Sequence, residues 1–130
     1  MAAPTLVRQA TPGFGGQQDI TCYTFTIANG QTLSDSIDLA GQYLLGVRYT
    51  AGIATGTLAV QHGGIGGTTF LDMAGTDGTA LTMTTAAGTP KHHVIDPKAR
   101  GPLTQTRFKA SAAVTAALTI EAYVTPNPVV

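Results

Sequence analysis

The chain has 130 residues, the size of one ordinary domain, and its seven basic residues balance seven acidic ones. Charged residues make up only 11% of it, against roughly 25% in typical soluble domains. Such a balance supplies no net field to draw nucleic acid or an anionic membrane, and a single cysteine, Cys22, excludes an intrachain disulfide.

Residues 1–19 carry Pro4, Pro12, Gly13, Gly15 and Gly16 with few large apolar groups, and read as an extended arm. Fully extended, such a segment reaches on the order of 60 Å at about 3.3 Å per residue. That is well beyond a body whose radius of gyration is about 14 Å. The segment lacks the basic and apolar regions of a secretory signal, and no apolar run in the chain approaches the roughly 20 residues of a membrane span. The expectation is a protein made and used without secretion or membrane insertion.

Strand patterning begins at Thr21 and runs to Ala28, with Tyr23, Phe25 and Ile27 on one face and Cys22, Thr24 and Thr26 on the other. Cys22 there reads as a small buried hydrophobe rather than a nucleophile. Asn29-Gly30 predicts a tight hairpin turn into a second extended segment, Thr32 to Leu39, with Asp35 at a bend or rim. After Gly41 the alternation is strongest: Tyr43, Leu45, Val47 and Tyr49 are expected inward, and Leu44, Gly46 and Arg48 outward. Thr57 to His62 is a shorter strand with Leu58 and Val60 inward, followed by a glycine-rich connection at 63–67.

Phe70 to Met73 and Leu81 to Thr84 are placed to pair as a hairpin around Gly75-Thr76-Asp77-Gly78. His92 to Asp96, ended by Pro97, and Thr104 to Ala110 are further strands, and Leu118 to Val124 is the last. Ala112 to Ala117 is alanine-rich, but Val114 and Thr115 are β-branched and the window is too short for a helix, so it reads as a loop. No segment sustains a 3.6-residue period. Roughly seven or eight short strands separated by turn signals predict an all-β fold, an antiparallel β-sandwich of jelly-roll-like type. The body spans 20–125, between the arm at 1–19 and a proline-interrupted tail at 126–130.

Residue types that carry chemistry are scattered. His62, His92 and His93 lack a cysteine or clear acidic partner, and adjacent strand residues face opposite ways, so no zinc site is expected. Asp72 to Gly78 offers two carboxylates without the spacing of a calcium loop and reads as a turn. Ser34, Ser36 and Ser111 lack a Gly-x-Ser-x-Gly elbow, and Glu121 is the only glutamate. The glycine clusters at 13–16 and 63–67 do not open a helix or precede a Lys-Ser/Thr pair, which argues against phosphate cradling. Four Tyr, four Phe and no Trp argue against a broad stacking platform. Lys91, Lys98, Arg100, Arg107 and Lys109 gather around Asp96 and read as a solvated turn region. The expectation is a non-enzymatic protein with no cofactor and no metal.

The succession TFTIANGQTLSDSIDLAGQYLLGVRY, TGTLAVQ, TTFLDMAGTDGTALTM and HHVIDPKARGPLTQTRFKA, covering about residues 23 to 124, resembles small β proteins encoded among the structural genes of tailed bacteriophages. The carrying motifs are a T-I-A-N-G-x-x-L-S-x-x-I-D-L-x-G run, a T-F-x-D-L hairpin and an A-L-D-P-like corner. The chain departs at that corner, which reads Val-Ile-Asp-Pro at 94–97, and in the arm before Thr21.

The resemblance implies a virion protein: a capsid decoration or cement protein on the outer surface of the head, stabilising contacts between major capsid protein subunits. It would be a homo-oligomer, dimeric or trimeric, synthesised in the host cytoplasm. Under that reading the contacts fall to Leu6, Val7, Arg8 and Phe14 of the arm and Val129 and Val130 of the tail. The rival expectation is a receptor- or glycan-binding module of a tail or fibre, touching its target through an exposed Tyr23 or Tyr49 and the 72–78 loop.

Overall fold

A computed structural model describes residues 20–50, 52–66, 69–74, 78–95 and 102–126. The expected arm at 1–19 and most of the tail, with Leu6, Val7, Arg8, Phe14, Val129 and Val130, lie outside the described residues. Those described form eight strands and no helix: β1 (Thr21–Ile27), β2 (Ile37–Tyr49), β3 (Gly56–Gly64), β4 (Leu71–Asp72), β5 (Thr82–Thr85), β6 (Lys91–Val94), β7 (Pro102–Ala110) and β8 (Leu118–Thr125). All pairings are antiparallel, in the order β1-β8-β2-β7-β3-β4, with β5 added to β3 and β6 to β2. The fold is all-β and sandwich-like, as the alternation predicts.

The sheet folds over because β2 bends. Where two segments broken at Gly41 are expected, a single strand of 13 residues runs through. Ala40 (φ 55°) and Gly41 (φ 77°) take left-handed conformations there, and the register against β7 shifts between Asp38 and Gln42. This is a β-bulge, which bends a strand and sharpens its twist. The Ala40 N–H donates to Asp38 Oδ1 at 2.9 Å, and Gln42 Nε2 donates to the Leu39 carbonyl at 3.2 Å, so local bonds hold the kink. β2 pairs with β7 on both sides of the bulge, as far as Tyr43, and from Gly46 onward it lies between β8 and β6.

The two halves are tied on their far side by the segment after the Asn29-Gly30 turn. That turn forms, with Gly30 at φ 81° and the Gln31 N–H bonded to the Ala28 carbonyl. Across it the chain makes only a single antiparallel bridge to β1, Ile27 to Ser34, while the full ladder partner of β1 is β8. Residues 32–34 thus bridge Ile27 of β1 and Lys109 of β7. Inside the closure, the Phe25 and Phe108 rings meet edge to face, centroids 4.9 Å apart, and both side chains are fully buried. Leu58, Val60, Val47, Ile120 and Leu118 complete the centre of the core.

Two further expectations are corrected. The register of β2 against β8 shifts again between Leu44 and Gly46, leaving Leu45 as the extra residue. Leu44, Val47 and Tyr49 are therefore buried, while Tyr43 and Leu45 are only half-buried: a one-residue insertion reverses which face each side chain occupies. Strands β4 and β5 do not ladder with each other beyond an Ala74–Ala80 bridge. They lie end to end along β3, β4 on Gln61 and His62 and β5 on Gly56–Ala59. A nine-residue β3 has edge enough for both. The 111–117 segment is a loop, anchored by buried Val114, whose N–H and carbonyl bond to Gln31 and Gly30.

Candidate interaction surface

Antiparallel register places directly opposed residues on one face of a sheet. Across β1, β8, β2 and β6 the rows Tyr23–Ala122–Val47–His93 and Phe25–Ile120–Tyr49–Lys91 alternate with Cys22–Tyr123–Gly46–Val94 and Thr24–Glu121–Arg48–His92. The first pair of rows holds the buried core residues, so the second pair forms the outer face.

At its centre Gly46 leaves a bare stretch of backbone. The His92 ring occupies the space: a Cβ at Gly46 would lie 3.0 Å from His92 Nε2 and 3.1 Å from the His93 carbonyl oxygen. The His92 and Tyr123 rings are nearly parallel, 11° apart with centroids at 5.8 Å. With Ile20, Leu45 and Gly46 they line an open groove of about 230 Å³. Val94, 76% exposed, stands beside it on the short strand β6. Among the described residues two other large apolar side chains are more than half exposed, Ile65 at 92% in the glycine-rich turn and Leu71 at 68% on β4.

Polar groups on and behind this face are internally engaged. Arg48 Nε lies 3.9 Å from Glu121 Oε1, and Cys22 Sγ donates to Glu121 Oε2 at 3.8 Å. Burial, reinforced by the Glu121 charge, pushes the Cys22 thiol up to about 11. A thiol held protonated at neutral pH is neither a ready nucleophile nor a metal ligand, which agrees with its reading as a small buried hydrophobe. His93 points the other way and shares a 3.0 Å hydrogen bond with Tyr49. Burial, then Lys91 and His92, lowers the His93 pKa, while burial raises that of Tyr49. Both shifts favour the neutral forms of the pair.

His62 sits elsewhere, on β3, where its Nε2 accepts the Thr104 backbone N–H at 3.0 Å. The three histidines are thus not brought together, and among the described residues no group of three or more His, Cys, Asp and Glu side chains is arranged to hold a metal ion. Asp72 accepts from Gln61 Nε2 at 2.9 Å, and Gln61 Oε1 accepts from Arg107 Nε at 2.8 Å, so this carboxylate braces β3, β4 and β7. Residues 75–77 of its loop lie outside the described residues. Tyr49, expected as an exposed contact, is 1% exposed, because it faces the core. Tyr23 is half-buried and its hydroxyl accepts from Gln42 Nε2.

No protein family matches the chain, and no curated protein matches it. Among solved structures it is similar to a chain of the disulfide-linked pili that form Bacillus endospore appendages, at 18% identity, 92% coverage of this chain, 99% of that one and a TM-score of 0.41.

The groove residues Ile20, Leu45, Gly46, His92 and Tyr123 were not legible as a set. Gly46 inside an alternating strand carries the one sequence signal, since glycine there marks a bulge or a close approach. The displacement of Leu45 to the outer face depends on a bulge that alternation does not reveal.

Proposed function

We propose that this chain is a non-enzymatic structural protein of a tailed-phage head, a decoration or cement protein that binds the outer surface of the shell and stabilises contacts between major capsid protein subunits. The observation that carries the reading is the exposed apolar surface of a rigid β body: Val94 beside the Ile20–Leu45–Tyr123 groove on one half, and Ile65 and Leu71 on the other. Single exposed apolar residues are ordinary, but one that stands beside an apolar groove suits protein contact. Sparse charge suits it too, because interface cores are depleted in charged residues. The resemblance to phage structural proteins supports the location.

In this reading the strands hold the contact surface rigid, and Leu6, Val7 and Arg8, with Val129 and Val130, extend it to neighbouring subunits. The test is co-sedimentation with undecorated capsids, comparing the intact chain with an Ile65→Ser/Leu71→Ser/Val94→Ser variant and with a chain lacking residues 1–16. Saturable binding of the intact chain, weakened in both variants, is the expected result. An intact chain that does not bind sinks the proposal.

The groove, with two aromatic rings in its wall, favours a second reading as a receptor- or glycan-binding module of a tail or fibre. Its contact would be His92 and Tyr123 rather than Tyr49. Copy number per virion separates the two: hundreds support the shell, a few to tens support the tail.

A further inference from the structure

The groove on the outer face begins at Ile20, and the chain that leads into Ile20, residues 1–19, lies outside the described residues. At about 230 Å³ the groove is smaller than the roughly 300–1,000 Å³ of small-molecule pockets, which suits one large side chain. Its lining is apolar and aromatic: Ile20, Leu45, the backbone of Gly46, and the His92 and Tyr123 rings.

The preceding segment contains one aromatic residue, Phe14, flanked by Gly13, Gly15 and Gly16. Ile20 lies six positions further on, a span of up to ~20 Å at about 3.3 Å per residue. Gly46 on β2 is two strand spacings from β1, about 10 Å away. The tether is long enough to turn back, and the glycines beside Phe14 tolerate the backbone conformations that a reversal demands. Aromatic walls favour an aromatic occupant over Leu6 or Val7, because ring pairs gain from offset and edge-to-face contact.

We propose that Phe14 of the same chain seats in this groove, against the His92 and Tyr123 rings and the Leu45 side chain. Seating Phe14 fixes the point from which residues 1–13 leave the body and leaves Leu6, Val7 and Arg8 to meet a partner. Fixing that direction lowers the ordering cost of any contact they make. The proposal does not rest on the capsid reading.

The test is nuclear Overhauser spectroscopy on the intact, isotope-labelled protein, with a second sample mixing labelled and unlabelled chains. Cross-peaks from the Phe14 ring to the Leu45 methyls and to the His92 and Tyr123 rings are expected within one molecule. They disappear in Phe14→Ala while Phe25–Phe108 cross-peaks persist, which separates loss of the contact from loss of the fold. Absence of the Phe14 cross-peaks in the wild type overturns the proposal. So does their replacement by Leu6 or Val7, or their appearance only between different molecules. A chain that shows these cross-peaks yet does not bind capsids removes the functional reading and leaves this one standing.

Discussion

Ser34 and Phe108 are joined twice across the fold: the Ser34 N–H donates to the Phe108 carbonyl at 3.0 Å, and the Phe108 N–H donates to Ser34 Oγ at 2.9 Å. The same hydroxyl donates to the Asp35 carbonyl at 2.8 Å. One small side chain thus substitutes for a ladder partner where 32–34 ties β1 to β7. Ser34→Ala leaves the buried Phe108 N–H without an acceptor, and an unsatisfied buried donor costs about 1–3 kcal/mol. Urea unfolding should show a loss in that range with an unchanged slope, whereas Ser36→Ala, on a half-buried neighbour, should shift the midpoint little.

Gly46 is constrained by space rather than by backbone conformation. A methyl group there would press on the His92 ring, which can swing away, and on the His93 carbonyl, which the β2–β6 ladder holds. Gly46→Ala should cost about 1–3 kcal/mol, as overpacking does. Hydrogen exchange should localise the effect, with amide protection falling in Lys91–Val94 before β8. Uniform loss of protection would show that β6 is not the element displaced.

The pH dependence of stability follows from His93. Its folded pKa is lowered, by burial first and then by Lys91 and His92, so the unfolded chain binds the proton more readily. A group depressed in the folded state contributes stability that is present above its unfolded pKa, about 6.5, and lost as pH falls through the folded value. Thermal midpoints should therefore drop below about pH 6.5 more steeply in the wild type than in His93→Gln, which keeps an acceptor for Tyr49 without titrating there. Equal slopes would assign the acid sensitivity to other groups.

Cys22 offers a kinetic check on the outer face. With its thiol at about 11, alkylation of the folded protein at pH 8 should be far slower than that of the unfolded chain, and should climb towards pH 11. Replacing the adjacent carboxylate in Glu121→Gln removes a charge that opposes the thiolate, so this variant should react faster at pH 8. A rate unchanged by Glu121→Gln would leave burial as the whole cause.

How much of this was legible in the sequence depends on whether a feature is periodic. The strands around Phe25, Leu58, Phe108 and Ile120 announce themselves, because period-two alternation is imposed by burial on one face. The Gly30 turn is equally visible. The bulges at Ala40–Gly41 and Leu45 are not, since the two residues inserted at the first and the one at the second take effect only when a partner strand supplies the register. Alternation alone therefore puts Tyr43 and Leu45 on the inner face, where they are not, and gives no sign of the groove that depends on Leu45. The pairing of β1 with β8, about a hundred residues apart, is likewise set by closure of the whole sheet rather than by local pattern.

The bend in β2 provides the last prediction, and its sign is opposite to most substitutions in strands. Ala40 is the one non-glycine residue with positive φ, at 55°, among the described residues. The left-handed region costs an alanine about 1–2 kcal/mol, through the clash of Cβ with the following carbonyl oxygen. Ala40→Gly removes that cost but makes the unfolded chain more flexible, which takes back about 0.4–1 kcal/mol. The side chain is exposed, so little packing is lost, and the Asp38 Oδ1 bond to the residue 40 N–H is kept. The balance is a small gain of about 0.5 kcal/mol for Ala40→Gly. Ala40→Asn should gain as much or more, because asparagine tolerates the left-handed region without the glycine entropy penalty. Ala40→Val should lose stability, since a β-branched residue fits positive φ worst. The rank order Asn ≥ Gly > Ala > Val in chemical denaturation tests the bulge itself: a strand that ran straight through residue 40 would place Val first and Gly last.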